Sequence, residues 1–161
     1  MATTPMPSSY RAMLKSLSES GVEFLVVGGW AVICHGYVRS TKDLDIWFDG
    51  DMHEARKVVR VLEQLNYSVE IDTIMRLSIQ RSVLRLDHEP TGIDLMTSCD
   101  GCQWAEAWKR RVLVDLDGLR VPILSLRDLH AAKRAAGRHR DLDDLENLPT
   151  VDEVEDDASS N

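Results

Sequence analysis

Two aspartates stand out because their types and spacing suit them to hold a divalent cation. Asp43 and Asp45 alternate with Leu44 and Ile46 in the short run DLDIWF. Side chains alternate along a β-strand, so both carboxylates would project from one face while the leucine and isoleucine face a core. Two carboxylates this close repel each other unless a cation or hydrogen-bond donors compensate. The pattern therefore favours a cation site over a merely solvated strand face.

A third carboxylate repeats this arrangement further along the chain. Asp94 stands between Ile93 and Leu95, and it must point away from both if this run is also a strand. If the two strands are neighbours, Asp43, Asp45 and Asp94 converge. Two Mg²⁺ ions about 4 Å apart, or Mn²⁺ in their place, could then bracket a phosphoryl group. We predict that these three residues are the metal ligands and the catalytic residues, with Asp94 orienting or deprotonating the attacking group.

A pair of glycines supplies the complementary feature. Gly28 and Gly29 end the β-branched apolar run of residues 22–27, and a helical pattern follows them. A strand that turns into a helix on two glycines lets phosphate oxygens approach backbone N–H groups. Arg39 and Thr41 could orient the same phosphates, although an Arg-Ser-Thr stretch entering a strand is equally typical of an ordinary loop.

Hydrophobic periodicity predicts the elements that must position these residues. The first predicted helices are an opening helix through Tyr10 and Leu17, then residues 30–37 and 52–66, and a short helix around Trp104. A final helix begins at its cap, Ser125, and is interrupted at Gly137. The helical pattern resumes over residues 141–148. The predicted strands are residues 22–27 and 42–48, a hairpin of residues 82–87 and 93–97 turning at Pro90-Thr91-Gly92, and a hairpin over residues 112–124 turning at Asp117-Gly118.

The stretches VVGGWAVICHGYVRSTKDLDIWF and GIDLMTS resemble the signature of the DNA polymerase beta-like nucleotidyltransferase superfamily. With LRDLHAAKRAAGRHRDLDDLENL near the end, the chain most resembles abortive-infection toxin nucleotidyltransferases and lincosamide-type antibiotic nucleotidyltransferases over residues 22–148. The resemblance implies an α+β fold with a mixed, largely antiparallel twisted sheet flanked by helices. It also implies two magnesium ions on the three aspartates, triphosphate binding at the glycine pair and a phosphate contact from Lys133. Asp141 and Asp144 belong to the same motif, with roles left open.

Length and charge set further bounds on the molecule. The 161 residues fit one domain, which we expect to span residues 1–149, followed by a disordered acidic tail over residues 150–161. The net charge of −8 owes much to that tail, so the folded part lacks the positive excess of a nonspecific nucleic-acid binder. No apolar run is long enough to span a bilayer, and the N-terminal residues do not have the composition of a secretory signal; we expect a cytoplasmic protein with no membrane partner.

The function expected from these features is transfer of a nucleoside monophosphate from an NTP to a hydroxyl acceptor. The sequence leaves open whether that acceptor is a tRNA or other RNA 3′ end, a protein or a small molecule. The alternative is a nucleotide-binding or toxin–antitoxin interaction module without turnover, with an antitoxin or helical protein as its partner. His35 is either a favourable helix end or a catalytic group, and the tryptophans are core residues unless one near the glycines stacks on a base.

Overall fold

A computed structural model describes residues 5–87 and 91–152, which form seven helices and six strands. The helices are α1 (Ser8–Glu19), α2 (Gly28–Cys34), α3 (Met52–Gln64), α4 (Thr73–Leu77), α5 (Trp104–Lys109), α6 (Leu126–Ala136) and α7 (His139–Asn147). The strands are β1 (Phe24–Val27), β2 (Asp43–Phe48), β3 (Val83–Leu86), β4 (Gly92–Met96), β5 (Val112–Leu116) and β6 (Leu119–Ile123). No helix in these two ranges has the length and apolarity to cross a bilayer.

The six strands form one mixed sheet in the order β3-β4-β2-β1-β6-β5. Strands β1–β2, β3–β4 and β5–β6 pair antiparallel, whereas β1–β6 and β2–β4 pair parallel. The parallel β2–β4 pair requires a long crossover, and α3 and α4 lie within it along the chain. The α+β class and the mixed, largely antiparallel sheet predicted from the sequence are confirmed.

Alternation along the strands divides the core into two layers. On one face Ile46 and Ile93 pack with residues of α1 and α3, and both are completely buried. On the other face Trp47 packs with Leu124 and Leu129 beside α5 and α6. The aspartates of β2 share the face of Trp47, so they emerge where the second core layer ends and α6 and α7 begin.

Local signals fix most element boundaries. Ser125 caps α6 by accepting a hydrogen bond from the Asp128 N–H, and Gly137 ends it in the left-handed conformation, at φ 64°. The Asp117-Gly118 hairpin turn has φ values of 51° and 80°, as a type I′ turn requires. These three predictions are confirmed.

Two element predictions need correction. The helix expected over residues 30–37 begins earlier, at Gly28, and ends at Cys34, because glycine at positive φ allows the helix to start directly at the end of β1. The short helix α4 was not predicted, since five residues carry too little periodicity to identify it. The strand pairing of the first hairpin is confirmed; Pro90 of its turn and residues 153–161 of the acidic tail lie outside the described residues.

Candidate active site

The three predicted ligands lie on two adjacent parallel strands. Asp45 on β2 is in direct register with Asp94 on β4, and Asp43 lies two residues earlier opposite Gly92. Neighbouring strands are about 4.8 Å apart, so the side chains of Asp45 and Asp94 stand next to each other on one face. Ile93 is fully buried on the opposite face. The structure thus brings together the residues that the sequence predicted would converge.

The surroundings of Asp45 strongly disfavour its ionised form. Burial first, and then the charges of Asp94 and Asp43, raise its pKa to about 6 against the opposing effect of Lys133 and Arg138. Low solvation and two neighbouring carboxylates both disfavour the ionised form. This side chain therefore favours a cation, or a proton, close to its oxygens.

Gly28 is needed for the position of that carboxylate. Its φ is 64°, and a Cβ atom at this residue would overlap the Asp45 carboxylate. Gly29 is equally crowded, since a Cβ there would lie 2.5 Å from Thr41 Oγ1 and 3.4 Å from Arg39 Nη1. The sequence argument gave the glycines a role towards phosphate; in the structure they also make room for three of the predicted site side chains.

Sequence reasoning missed Arg85, which lies at the centre of the acid cluster. Its Nη1 donates to both oxygens of Asp94, at 3.1 and 3.0 Å, and its Nη2 donates to Asp43 Oδ1 at 2.8 Å. Hydrogen bonds to Asp43 and the charge of Asp94 raise the pKa of the guanidinium. Register explains the contact, because Arg85 on β3 pairs opposite Asp94. The alternation of β3 was the available signal, but it becomes informative only once β3 and β4 are known to pair.

The residues of the cluster fit magnesium in their chemistry. All three are carboxylates, the hard oxygen ligands that Mg²⁺ prefers, and after burial the charges of Asp94 and Asp43 contribute to the raised pKa of Asp45. In the conformation described, no three Asp, Glu, His or Cys side chains of residues 5–87 and 91–152 are arranged as a metal site. Arg85 holds Asp43 and Asp94 through hydrogen bonds instead. A metal ion would therefore require these side chains to rearrange around it.

A buried ion-pair network forms the opposite wall of the site. Lys133 on α6 contacts Asp141 Oδ1 at 3.1 Å and Asp144 Oδ2 at 3.0 Å, and Arg39 binds Asp144 through two hydrogen bonds of 2.6 and 2.9 Å. Burial opposes ionisation of both aspartates, but the hydrogen bonds from Arg138, Arg39 and Lys133 lower their pKa values. The network explains why the sequence carries these acids near the basic residues of α6.

The side chains predicted to contact phosphate all lie at the cleft. Arg39 and Lys133 line the same cleft as the glycine pair and the acid cluster, but their charged groups are already engaged by aspartates of α7. Thr41 lies against Gly29, and its Oγ1 donates to the Asp43 carbonyl at 3.4 Å. Three more basic residues that the sequence did not single out, Lys42, Arg138 and Arg140, line the cleft as well.

The cleft has a volume of about 320 Å³ and continues into further hollows. The next one, about 270 Å³, shares Gly28, Asp45 and Lys133 with the cleft and adds apolar residues of α6. A third hollow of about 630 Å³ follows, with Asp49, Asp100 and other polar side chains in its lining. The site is thus a groove of three adjoining hollows with a basic rim, an acidic floor and a polar extension that carries Asp49, Asp100 and Arg81.

The remaining candidates lie elsewhere. His35 ends α2, and its backbone N–H donates to the Ala31 carbonyl. Its Nε2 donates to the Leu124 carbonyl at 2.7 Å, burial lowers the pKa of the ring, and the residue is not part of the cleft lining. Trp30, the tryptophan beside the glycines, is buried edge-on against Tyr10, so the idea that it stacks on a base is wrong. Trp104 packs against Trp47 and is partly exposed in the largest hollow.

The mixed sheet carries two aspartates on β2 and a third on its parallel neighbour β4, and the diglycine turn opens onto the same cleft. Together these features define a nucleotidyltransferase. The model of the aminoglycoside-2″-adenylyltransferase family matches residues 10–148, and the chain belongs to that family. A search of curated protein sequences finds no match.

Solved structures support the same fold. The presumed nucleotidyltransferase TM1012 from Thermotoga maritima superposes with a TM-score of 0.59 at 17% identity, covering 86% of this chain and 88% of its own. The lincosamide antibiotic adenylyltransferase LnuA, solved with lincomycin, gives 0.55 at 20% identity over 91% and 98%. ANT(2″)-Ia, solved with adenylyl-2″-tobramycin, gives 0.56 at 15% identity over 86% and 84%. The nucleotidyltransferase superfamily expected from the sequence is confirmed by the family model, and LnuA shows that a lincosamide-type enzyme shares the fold.

Proposed function

We propose that the protein transfers a nucleoside monophosphate from an NTP to a hydroxyl group of a small molecule, with two magnesium ions held by Asp43, Asp45 and Asp94. The in-register pairing of Asp45 with Asp94, beside Gly28 on one cleft, carries the proposal. Arg85 balances part of the repulsion among these acids, and a divalent cation would balance the rest. Bound magnesium would activate the acceptor hydroxyl and neutralise the departing pyrophosphate.

The chain's own residues supply the binding and orientation. The turn at Gly28 and Gly29 offers backbone N–H groups to the triphosphate, and Lys42 and Arg140 on the cleft rim add positive charge. We assign to Arg39 and Lys133 the task of holding this wall in place while contributing positive potential, because aspartates already bind their charged groups. Asp94 would orient or deprotonate the acceptor hydroxyl.

A small polar acceptor is favoured over RNA or protein. The largest hollow beside the site is lined mainly by polar groups and carries Asp49 and Asp100, which suits an acceptor bearing amines and hydroxyls. The net charge of −8 gives no general attraction for a nucleic acid. The family name points to an aminoglycoside acceptor and to ATP as the donor. We place the reaction in the cytoplasm, where NTPs are available; an antitoxin partner stays a prediction.

The test is a direct product assay. The purified protein is incubated with Mg²⁺ and each of the four NTPs, with tobramycin, lincomycin or a tRNA pool as acceptor. Pyrophosphate release and a nucleoside monophosphate mass added to the acceptor are measured. We expect tobramycin to be modified with ATP, and Asp43→Ala, Asp45→Ala and Asp94→Ala each to reduce the rate by on the order of a thousandfold or more.

A matched control is available on the surface. Asp72 precedes α4, is exposed and makes no side-chain capping hydrogen bond, so Asp72→Ala should retain the wild-type rate. Turnover unaffected by loss of the three site aspartates would refute the metal-dependent mechanism. Modification of tRNA alone would refute the small-molecule acceptor.

One observation favours the second candidate, a module that binds nucleotide without turnover. Arg85 already pairs with Asp43 and Asp94, which is how a cluster that no longer binds metal could be neutralised. Calorimetry that detects ATP binding without magnesium dependence, together with no product from any acceptor, would support this candidate. A single clearly adenylylated acceptor would eliminate it.

A further inference from the structure

The guanidinium of Arg85 lies over three adjacent strands of the sheet, at a position where Gly92 leaves space for it. Its guanidinium spans from β3 across β4 to β2 and contacts carboxylates on both of those strands. Beneath it lies Gly92, where a Cβ would come within 2.6 Å of Arg85 Nη2 and 2.9 Å of Asp43 Oδ1. The absence of a side chain at Gly92 therefore leaves room for this contact.

We propose that Arg85 is an internal counter-cation that competes with the divalent metal for Asp43 and Asp94, so that metal binds strongly only together with the nucleotide. The inference rests on the proposed function, because it takes the aspartates to be metal ligands. Arg85 is in this role a positioning residue, acting through the two carboxylates.

The competition follows from geometry. The three N–H···O contacts of Arg85 use both oxygens of Asp94 and one of Asp43. Magnesium needs oxygens at about 2.1 Å in a nearly octahedral arrangement, and a guanidinium lying between the same carboxylates leaves no space for it. Either the arginine or the metal can lie between these two acids, but not both.

Charge explains why the nucleotide would decide between them. Three carboxylates and one guanidinium leave the cluster with a smaller negative charge, which weakens the attraction for a free divalent ion. An NTP brings its own phosphate oxygens to the metal and its own negative charge for the displaced guanidinium to pair with. Arg85 is about one-third exposed, so its side chain has a route out of the cluster.

The test measures metal binding rather than turnover. Mn²⁺ binding to the wild type and to Arg85→Gln is followed by electron paramagnetic resonance, with and without a non-hydrolysable ATP analogue. We expect the nucleotide-free Kd to fall by roughly tenfold in Arg85→Gln. The strengthening of Mn²⁺ binding by the analogue should shrink correspondingly. Arg120→Gln is the matched control, since Arg120 is an exposed arginine on β6, two strands beyond β2 in the sheet.

Two further variants separate the possible outcomes. Arg85→Lys keeps the charge but cannot make the forked contacts to both acids, so it should strengthen nucleotide-free Mn²⁺ binding in the same direction, by less than Arg85→Gln. Asp45→Asn tests the metal site itself. If Asp45→Asn weakens Mn²⁺ binding but Arg85→Gln leaves it unchanged or weakens it, the inference about Arg85 is overturned and the proposed function stands. If Asp45→Asn has no effect, or no Mn²⁺ binds under any condition, both are overturned.

Discussion

Replacing Asp45 by asparagine should stabilise the metal-free protein while abolishing its activity. The substitution preserves the shape of a side chain that fits closely against Gly28 and removes a charge that its surroundings disfavour. Burial, Asp94 and Asp43 together raise the pKa of Asp45 from its ordinary 3.8 to about 6. Asparagine is uncharged, so its burial beside Asp94 and Asp43 does not carry this electrostatic cost.

The size and the sign follow from proton linkage. One pKa unit corresponds to about 1.4 kcal/mol, so a shift of roughly two units sets a ceiling of about 3 kcal/mol. Because the folded state holds this proton more tightly than the unfolded chain, the wild-type free energy of unfolding falls as pH rises through the window from 3.8 to about 6. The contribution of Asp45 is constant above that window. The advantage of Asp45→Asn should accordingly be small near pH 4 and reach its full value above pH 7.

Urea denaturation in EDTA, followed by circular dichroism at several pH values, measures this difference. A gain of about 3 kcal/mol corresponds to a midpoint shift of roughly 1–1.5 M urea at pH 8. Added Mg²⁺ should stabilise the wild type more than the variant, since ligand binding to the folded state stabilises it. A variant that is less stable than the wild type at pH 8 in EDTA, or a difference that does not change with pH, would refute the reasoning.

Two other substitutions test the walls of the cleft. Gly28→Ala should destabilise the fold by about 1–2 kcal/mol because its φ is positive, and by a further amount because the added Cβ overlaps Asp45. Gly21 is also at positive φ but has open space around it. Gly21→Ala should therefore show only the first effect in thermal unfolding. Lys133→Met should lower the free energy of unfolding by about 3–5 kcal/mol, because it leaves the two buried aspartates of α7 without their shared cation. Lys109 is exposed, so Lys109→Met should change this free energy by less than about 1 kcal/mol, as measured by urea denaturation. Equal losses in either pair would contradict the corresponding contact.

The sequence was informative about the fold where periodicity and turn chemistry agree. The strand carrying Asp43 and Asp45 alternates cleanly, and the Asp117-Gly118 turn has few conformational alternatives. These local signals do not predict the order of the strands in the sheet. Nothing local to β6 indicates that Val26 pairs with Ile123 across nearly a hundred residues, because such pairing depends on the packing of both core layers.

The candidate site shows the same division. Each aspartate could be selected from its apolar neighbours, since alternation fixes the face on which a side chain emerges. Arg85 could not, because its function depends on the pairing partner of β3 rather than on its own flanking residues. Lys133 was selected for a phosphate contact, and the structure adds that Asp141 and Asp144 bind its amine, which only the packing of α7 on α6 could reveal.

The bond between Arg39 and Asp144 joins residues 105 positions apart in the chain. During synthesis the loop before β2 emerges early, yet its anchor on α7 follows only 105 residues later. A nascent chain ending after β6 would carry all three site aspartates and still have an unsupported cleft wall. Binding of nucleotide to ribosome-stalled chains of increasing length should therefore begin only when α7 has been released.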